Sequence, residues 1–326
     1  MFTPVGPISI LGFPTPLIML TLIGIIVVFA AVFGGYLLER GNPYVLMQPA
    51  ELLIVGGAAV GVILVANPPA VIHKMWTGMV AIFRAPRHTR ESLLRHLLML
   101  FEVFMYSQRA SLMNLEADVE NPPESRIFSK YPGFLRDEVT RDFVCDSLRM
   151  LVIGATDANA LDHLMALDID VQQRGNREPV GALSAVADAL PGLGILAAVL
   201  GVVITMQAIG GSPETVGQKV AAALVGTFLG ILLCYGAVGP AAARLDALGE
   251  QQIQFLEVLR TAMVSFARGA SPILAIEYAR RSIPIEKRPS FLEMEALIRR
   301  EAKIPQTPQQ AHQEKMTHAS PVHAGE

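Results

Sequence analysis

The stretch DALPGLGILAAVLGVVITMQAIGG, residues 188–211, decides the fold. It has one acidic residue at its start and no charge after it, and at ~1.5 Å per residue it can cross a hydrocarbon core of ~30 Å. Other charge-free runs cover residues 1–38, 52–72 and 220–243. We therefore predict four transmembrane helices, near residues 17–38, 51–71, 191–209 and 220–242. The alternative is a large soluble helical bundle, but buried core helices rarely exceed ~14 residues without a charge.

The composition supports a membrane protein and argues against several other classes. Hydrophobic residues make up 52% of the 326 residues and charged residues only 17%, whereas soluble domains have ~25% charged residues. The two cysteines, Cys145 and Cys234, are far apart and indicate neither a disulfide framework nor a metal cluster. The net charge of −3 gives no sign of nucleic-acid binding.

Sequence motifs of enzymes are absent or incomplete. GLGILA at residues 192–197 imitates a dinucleotide-binding loop, but no strand precedes it. DANALDHLMALD at 157–168 has acids at calcium-loop spacing, but it lacks the turn glycine and the final glutamate and is more typical of a helix. We therefore predict no enzymatic activity, no cofactor, no metal site and no nucleic-acid partner.

The basic residues predict the topology. Of the 26 lysines and arginines, 13 lie in residues 73–188 and 11 in residues 244–326. Because cytoplasmic loops are enriched in Lys and Arg, we expect both long segments and both termini in the cytoplasm. The short links at 39–50 and 210–219 then face outward.

Helical patterning predicts an all-α integral membrane protein. Its cytoplasmic helical lobe is expected to form from the segment between the second and third spans and from the C-terminal segment. Apolar residues recur at helical spacing in 91–120, and the pattern resumes in 135–172 before a predicted loop at 172–181. The predicted order is a proline-bearing irregular lead-in (1–16), a transmembrane hairpin (17–71), a cytoplasmic helical domain (72–188), a second transmembrane hairpin (189–243), a cytoplasmic helical segment (244–302) and a disordered tail (303–326).

The predicted spans contain no ionisable residue near their middle. The acids Glu39, Glu51, Asp188 and Glu214 lie near the span ends instead. Ionisable groups inside membranes usually mark ion or proton paths. If the chain conducts an ion, we therefore expect another chain to bring the charged group.

Small residues are frequent in the spans and indicate close contacts between helices. Such faces serve either the packing of the four spans against one another or the binding of a partner helix. The two Gly-x-x-x-Gly pairs are Gly57–Gly61 and Gly226–Gly230, and the third span has Gly192, Gly194, Ala197, Ala198 and Gly201.

Hydroxyl and proline residues mark the third and fourth spans. Thr205 is the only hydroxyl of the third span, and Thr227 lies in the fourth, with Tyr235 about two turns further on. Each threonine either bonds to the backbone of its own helix or takes part in chemistry. Pro191 and Pro240 flank the membrane near its cytoplasmic side, where a proline ends a helix or acts as a hinge.

Five sequence blocks carry a family resemblance. They are GGYLLERGNPYVLMQPAELLIVGGAAVG (34–61), LEADVENPPESRIFSKYP (115–132), DALPGLGILAAVLGVV (188–203), VGTFLGILLCYGAVGPAA (225–242) and RPSFLEMEALIR (288–299). They lie between residues 34 and 299, and the resemblance covers about residues 20–300. In this order they resemble the flagellar motor stator A subunit, the MotA family of the MotA/TolQ/ExbB proton-channel superfamily.

The resemblance implies a function in the bacterial inner membrane. Five A subunits surround a dimer of a MotB-like B subunit, whose membrane helix carries the proton-accepting Asp and whose periplasmic part binds peptidoglycan. Ion flow then generates torque on the rotor switch protein at the cytoplasmic face. Pro191 and Pro240 match the family's functional prolines, and Thr227 matches its channel threonine. The predicted ion pathway and partner-helix interface comprises Pro191, Ala197, Ala198, Gly201, Thr205, Thr227, Tyr235 and Pro240.

The resemblance also assigns two charges that bind the rotor. The acidic one matches Glu116, and counting back without a gap places the basic one at Gln108, beside our candidate Arg109. Seven residues separate Arg109 and Glu116, about two helical turns, so both can share one exposed helix face. An ordinary solvated helix face is the alternative.

The coupling ion is expected to be the proton. Sodium requires several oxygen ligands, whereas the third span offers only Thr205, and Ala197 and Ala198 stand where sodium-type relatives place hydroxyls. One alternative is a TolQ/ExbB-like energiser of outer-membrane processes, although that family typically has three spans and lacks the hairpin 17–71. Another is a passive scaffold without ion flux.

Overall fold

The computed structural model describes residues 16–84, 88–110, 112–154, 157–207, 210 and 212–301. Most of these residues are helical and none of them forms a strand, which confirms the predicted all-α class. Apart from Pro16, the predicted lead-in (1–16) and tail (303–326) lie outside the described residues. The α-helices are α1 (Pro16–Leu38), α2 (Pro43–Leu46), α3 (Pro49–Ala66), α4 (Pro69–Ile82), α5 (Arg90–Ala110), α6 (Glu116–Glu120), α7 (Pro132–Arg136), α8 (Glu138–Val152), α9 (Ala158–Met206), α10 (Pro213–Leu233), α11 (Gly239–Ala267), α12 (Pro272–Ser282) and α13 (Phe291–Glu301).

Four helical segments are long and apolar enough to cross a membrane, as predicted. Prolines begin α1, α3 and α10, at the first helical position, where the missing N–H has no helical partner to lose. Ser212 caps α10, because its hydroxyl oxygen accepts a hydrogen bond from the Thr215 amide at 3.3 Å. The four segments are Thr21–Leu38, Pro43–Ala66, Ala158–Met206 and Pro213–Ala267.

The third span is the end of a 49-residue helix, α9. The predicted loop at 172–181 is therefore wrong, since these residues are helical and Pro179 lies inside the helix. Gly175 lies beside α4, where an added Cβ would be 3.7 Å from Lys74 Nζ. Lys74 also forms an ion pair with Glu178 at 3.1 Å. Tertiary contacts of this kind, rather than local propensity, supply most of the stability of helices in proteins.

The two prolines of the predicted pathway do not end their helices. Pro191 lies inside α9. Pro240 follows a five-residue π-helical turn, Cys234–Val238, which joins α10 to α11 without interruption. Proline has no N–H to donate to the carbonyl four residues earlier, and a π turn is a common local adjustment within a helix. The hypothesis that these prolines terminate the spans is wrong, and the hinge stays a prediction.

The apolar stripe at 91–120 is not a single helix. α5 ends at Ala110, residues 112–115 form a 3₁₀ turn, and α6 begins at Glu116. Leu115 and Val119 are almost completely buried, and burial of such side chains stabilises by ~1.5–3 kcal/mol each. Burial thus favours the turn over a continued helix. Arg109 and Glu116 lie on different elements, so the prediction of one shared helix face is wrong.

The chain forms two compact units. Of the described residues, those up to residue 84 and from 171 to 251 form the span unit, and those from 88 to 170 and from 252 to 301 form the helical lobe. Within the lobe, side chains of α5, α8 and the C-terminal helices build one hydrophobic core, in which Phe104 stacks on Phe266 with 4.2 Å between ring centroids. The described part of the lobe therefore has a core of its own.

His96 is a polar residue buried in the core of the lobe. Its ring packs against Phe134 and Phe255, and its Nδ1 lies 2.6 Å from the Ser92 carbonyl oxygen. Burial lowers the pKa of His96 below its ordinary value, and the bond to Ser92 opposes this shift only in part. We therefore expect a neutral ring at physiological pH, with Nδ1–H donating to Ser92.

Lowering the pH is expected to destabilise the lobe through His96. In the unfolded chain His96 binds a proton below about pH 6.5, whereas the buried ring resists protonation. The free energy of unfolding therefore decreases as the pH falls below that value, by up to about 1.4 kcal/mol per pH unit for one proton. His96→Gln should reduce this pH dependence, and it should lower stability at neutral pH because the ring contacts are lost.

Thermal unfolding of the purified chain in detergent, from about pH 7.5 to about pH 5.5, measures this dependence. His163 is exposed, so His163→Gln serves as the control and should leave the slope unchanged. A slope that is the same in His96→Gln and in the wild type would contradict the prediction.

Candidate functional site

Helices α9 and α10 approach each other at backbone distance. A Cβ added to Gly194 would lie 2.7 Å from the Gly226 carbonyl oxygen and 3.1 Å from Thr227 Cα. A Cβ added to Gly230 would collide with the Leu190 carbonyl oxygen. Because these neighbours are backbone atoms, only glycine fits at these two positions.

The close contact continues along both helices. A Cβ added to Gly201 would lie 2.6 Å from Ala223 Cβ. Ala197 is fully buried, and its Cβ would lie 2.8 Å from a Cβ added to Gly226. Small residues of the third and fourth spans therefore pack these two spans against each other within one chain.

The other glycine pair makes no comparable contact. A Cβ added to Gly57 would be 4.0 Å from Leu53 Cδ1 of the same helix, and one added to Gly61 would meet nothing within 4 Å. Leu53 itself is exposed. Among the described residues, this face of α3 is thus not packed tightly against another span.

The two threonines of these spans have different partners. The Thr227 hydroxyl donates to the Gly194 carbonyl oxygen of α9 at 3.4 Å, so it links two spans. Thr205 is 4% exposed and donates to the Gly201 carbonyl oxygen at 2.8 Å, four residues earlier in its own helix. Thr205 therefore follows the alternative in which a hydroxyl is satisfied by its own backbone, whereas Thr227 does not.

The structure does not bring all predicted pathway residues together. Ala197, Gly201 and Thr227 lie at the α9–α10 contact, while Pro191 and Ala198 are only half-buried. Tyr235 is 73% exposed and Pro240 is exposed. A partner helix or lipid could cover these exposed positions together with apolar neighbours that include Leu196, Val199, Leu200 and Ile231. The assignment of the eight residues to an ion pathway stays a prediction.

Sequence reasoning missed Glu51, the third residue of α3. Its side chain lies against the α9–α10 contact: a Cβ added to Gly201 would be 3.5 Å from Glu51 Oε1, and one added to Gly226 would collide with Oε2. Glu51 is only 7% exposed, and Oε2 has no hydrogen-bond partner among the described residues. The carboxyl group is therefore buried, although Glu51 lies at the end of a span. In the sequence, the only signal is an acid directly before a long charge-free run.

The predicted rotor-binding charges lie at the surface of the helical lobe. Arg109 is in the last turn of α5 and Glu116 begins α6. Both side chains are exposed, and so is that of Gln108. This exposure is compatible with contact to another protein and does not choose between Gln108 and Arg109.

The described residues offer no centre for metal or thiol chemistry. Among them, no group of three or more His, Cys, Asp and Glu side chains could hold a metal ion. Cys145 and Cys234 are buried and free. Burial raises the pKa of the Cys145 thiol to about 12, so this cysteine is not a reactive thiolate.

Two family models match the chain. The model described as Motility protein A N-terminal matches residues 22–111, from the first span to the end of α5. The model described as MotA/TolQ/ExbB proton channel family matches residues 135–258, which contain α9 and α10.

Related sequences and solved structures agree with these matches. Motility protein A of Salmonella typhimurium is 36% identical over 281 residues, which are 86% of this chain and 95% of that protein. The C. jejuni MotAB structure matches with a TM-score of 0.70 at 19% identity, over 84% of this chain and 99% of that one. The MotAB stator complex from Bacillus subtilis matches with a TM-score of 0.67 at 24% identity, over 82% of this chain and 97% of that one. The two solved structures support the fold.

Replacing Gly230 with alanine is expected to weaken the α9–α10 contact. The new Cβ would overlap the Leu190 carbonyl oxygen, a backbone atom that cannot rotate away, and such overpacking costs ~1–3 kcal/mol. Thermal unfolding of the purified chain in detergent should show a lower midpoint for Gly230→Ala.

Gly217→Ala on the same helix is the matched control. No described residue lies within 4 Å of a Cβ added to Gly217. Alanine also has the higher helix propensity, so the midpoint of Gly217→Ala should be equal to or higher than that of the wild type. A wild-type midpoint for Gly230→Ala would argue against the close contact.

Proposed function

The chain belongs to the motility protein A family, within the MotA/TolQ/ExbB proton channel family, and from this premise we propose that it is the A subunit of a flagellar motor stator. In this proposal the chain and a B subunit form a proton channel, and ion flow through it generates torque on the rotor switch protein. The observation that carries the proposal is the pair of matches, a Motility protein A model over residues 22–111 and a proton channel model over 135–258.

A second chain would supply the acid that titrates next to the exposed faces of α9 and α10. Residues 189–206 and 220–233 contain no Asp, Glu, Lys, Arg or His, and many of their apolar side chains are exposed. The two solved structures are described as MotAB complexes, which supports a MotB-like partner. On the family pattern, this partner is a peptidoglycan-binding dimer whose membrane helices each carry an Asp, and five copies of this chain surround it.

Thr227 and its neighbours would line the ion path. Its bond to the Gly194 carbonyl oxygen is long at 3.4 Å and therefore weak, so the hydroxyl can turn to water or to a partner's acid. Thr205 already donates to its own helix, and Ala197 and Ala198 bring no side-chain oxygen. Because hard cations need several oxygen ligands, this shortage supports the proton as the coupling ion.

Arg109 and Glu116 would contact the rotor switch protein from the cytoplasm. Both are exposed on the helical lobe, and charged groups suit a transient, moving contact because they steer encounter. The placement requires the lobe and both termini to lie on the cytoplasmic side of the inner membrane, as the positions of the basic residues predict.

A TolQ/ExbB-like energiser is the second candidate. The proton channel model covers residues 135–258 and is shared by both functions. The Motility protein A N-terminal model over residues 22–111 favours the stator, because that segment contains the first hairpin. Of the two candidates, the stator is thus the one that accounts for the whole match.

Deleting the gene for this chain is expected to abolish swimming while the flagellar filaments still assemble, because the filament and rotor do not need the stator to form. Expression of the wild-type chain should restore swimming, and affinity-tagged chain should co-purify a one-span, peptidoglycan-binding protein. Swimming speed should follow the proton-motive force and persist when sodium in the medium is replaced by potassium.

Iron-siderophore uptake is the control, and it should be unchanged in the deletion strain. Normal swimming combined with lost uptake would favour the TolQ/ExbB-like energiser instead. Swimming speed that follows sodium at constant proton-motive force would contradict proton coupling alone and leave the stator proposal intact.

Reversing the charge of Glu116 is expected to reduce swimming without harming the fold. Substitutions of exposed side chains usually change the free energy of unfolding by less than ~0.5 kcal/mol. The Glu116→Lys chain should therefore be present at wild-type levels but support little torque. Glu120→Lys, at an exposed position in the same short helix, is the matched control. Tethered-cell rotation provides the measurement.

The same assay distinguishes the two candidates for the basic residue. Arg109→Glu should impair rotation, and Gln108→Glu should impair it less if Arg109 is the contact. Normal rotation in Glu116→Lys and Arg109→Glu would remove both residues from the rotor interface.

A further inference from the structure

We propose that Glu51 is a proton-binding site of this chain, on the route by which protons reach the partner's acid. The inference rests on the proposed function and adds to it a titrating group that this chain itself contributes. It is carried by the position of the Glu51 carboxyl group between α3 and the α9–α10 contact.

Glycines on two other spans make room for this carboxyl group. Oε2 occupies the space that a side chain at Gly226 would need, and a Cβ at Gly226 would also lie 3.3 Å from Glu51 Cδ. On α9, a Cβ at Gly201 would lie 3.5 Å from Oε1. The carboxyl group thus contacts both helices of the predicted ion pathway at positions without a side chain.

A negative charge on Glu51 is favoured only by the N-terminal end of α3, because the helix dipole stabilises an acid in the first turn. An ionised carboxyl group in an apolar interior requires a cation or several hydrogen-bond donors, whereas a protonated one requires neither. Glu51 is 7% exposed, and in the part of the chain that the structure describes its Oε2 has no hydrogen-bond partner. A site of this kind can hold a proton without a fixed counter-charge.

Among the described residues, Glu51 contacts α9 at Gly201 and α10 at Gly226, in parts of these helices without a charged side chain. The short helix α2, which packs against α10, adds only the exposed Tyr44 as a titratable group. Lys219, at the start of the charge-free part of α10, lies seven residues before Gly226, ~10 Å along the helix axis. Long parts of four helices contain no Asp, Glu, Lys, Arg or His. They are residues 16–38 of α1, 52–66 of α3, 189–206 of α9 and 220–233 of α10.

The position of Glu51 connects one end of a span with the apolar interior. α3 begins at Pro49, so the Glu51 backbone lies at a helix end that faces outward in the predicted topology. Gly226 lies six residues inside the charge-free run that starts at residue 220, ~9 Å along the axis. The side chain therefore reaches from the outer end of α3 toward the interior.

The proposed step is a transfer of one proton without oxidation or reduction. The Glu51 carboxylate accepts a proton from a hydronium ion at the outer side, which forms the carboxylic acid and releases water. The O–H bond then breaks, and the proton passes, directly or through a water molecule, to the carboxylate of the partner's Asp. Glu51 returns to the carboxylate and can accept the next proton.

The test uses the full chain in complex with its co-purified B subunit, reconstituted into liposomes. Glu51→Gln keeps the size of the side chain and removes its titration, and Glu51→Asp keeps a carboxyl group. We expect Glu51→Gln to assemble and to lower proton flux at least ~10-fold, whereas Glu51→Asp retains flux. Glu214→Gln is the matched control, because Glu214 is an exposed acid at the predicted outer side, and its flux should equal that of the wild type.

The dependence of flux on outside pH separates a titrating group from a structural one. Glu51→Asp should move the profile along the pH axis, whereas a merely structural residue would scale the flux at every pH equally. Wild-type flux in Glu51→Gln, an unmoved profile in Glu51→Asp, or failure of Glu51→Gln to co-purify with the B subunit would each overturn the inference.

The proposed function and this inference fail in different ways. A wild-type complex that conducts no protons, or a deletion strain that still swims, would contradict the proposed function. A wild-type complex that conducts while Glu51→Gln conducts equally well would contradict only the proton-binding site at Glu51.

Discussion

The contact of glycine backbone with glycine backbone between α9 and α10 is the constraint on which the rest of the span unit depends. In lipid no hydrophobic effect draws two helices together, so their association relies on close van der Waals packing and on polar bonds. Gly194 and Gly230 permit this approach because no side chain fits there. The approach also brings the Thr227 hydroxyl within reach of a carbonyl group on the other helix. One contact therefore fixes both the spacing of the spans and the position of the hydroxyl predicted to line the channel.

The number of spans could be predicted from the sequence, but the boundaries of the helices could not. Charge-free runs of more than 20 residues leave few alternatives to a membrane helix, so each span can be predicted from its own stretch of sequence. At 172–181, Gly175 and Pro179 are local helix breakers, yet the segment is helical and contacts α4. At 112–115 the apolar pattern correctly predicts burial, but it does not predict that burial of Leu115 requires a turn. Tertiary packing decides both cases.

For the candidate site, the residue types could be predicted from the sequence, but the residues that lie next to them in space could not. The pairs Gly57–Gly61 and Gly226–Gly230 have the same spacing, but only the second lies at a tight contact in the described chain, because spacing does not say which helix face meets another helix. The sequence places Glu51 near a span end and shows nothing of its burial. Its burial depends on Gly201 and Gly226, about 150 and 175 residues further along the chain, and no local pattern links such distant residues.

Under the proposed function, the absence of charge on the exposed faces of α9 and α10 and the burial of Glu51 serve the same purpose. A fixed cation on the exposed face of α9 or α10 would form an ion pair with the partner's carboxylate in a medium of low dielectric constant, where breaking a pair costs ~3–5 kcal/mol. Such a pair would hold the two chains in one position. Glu51 lies instead among α3, Gly201 and Gly226, and as an acid it cannot pair with the partner's carboxylate. It can therefore exchange protons with that carboxylate while the surface on which the partner moves stays free of strong bonds.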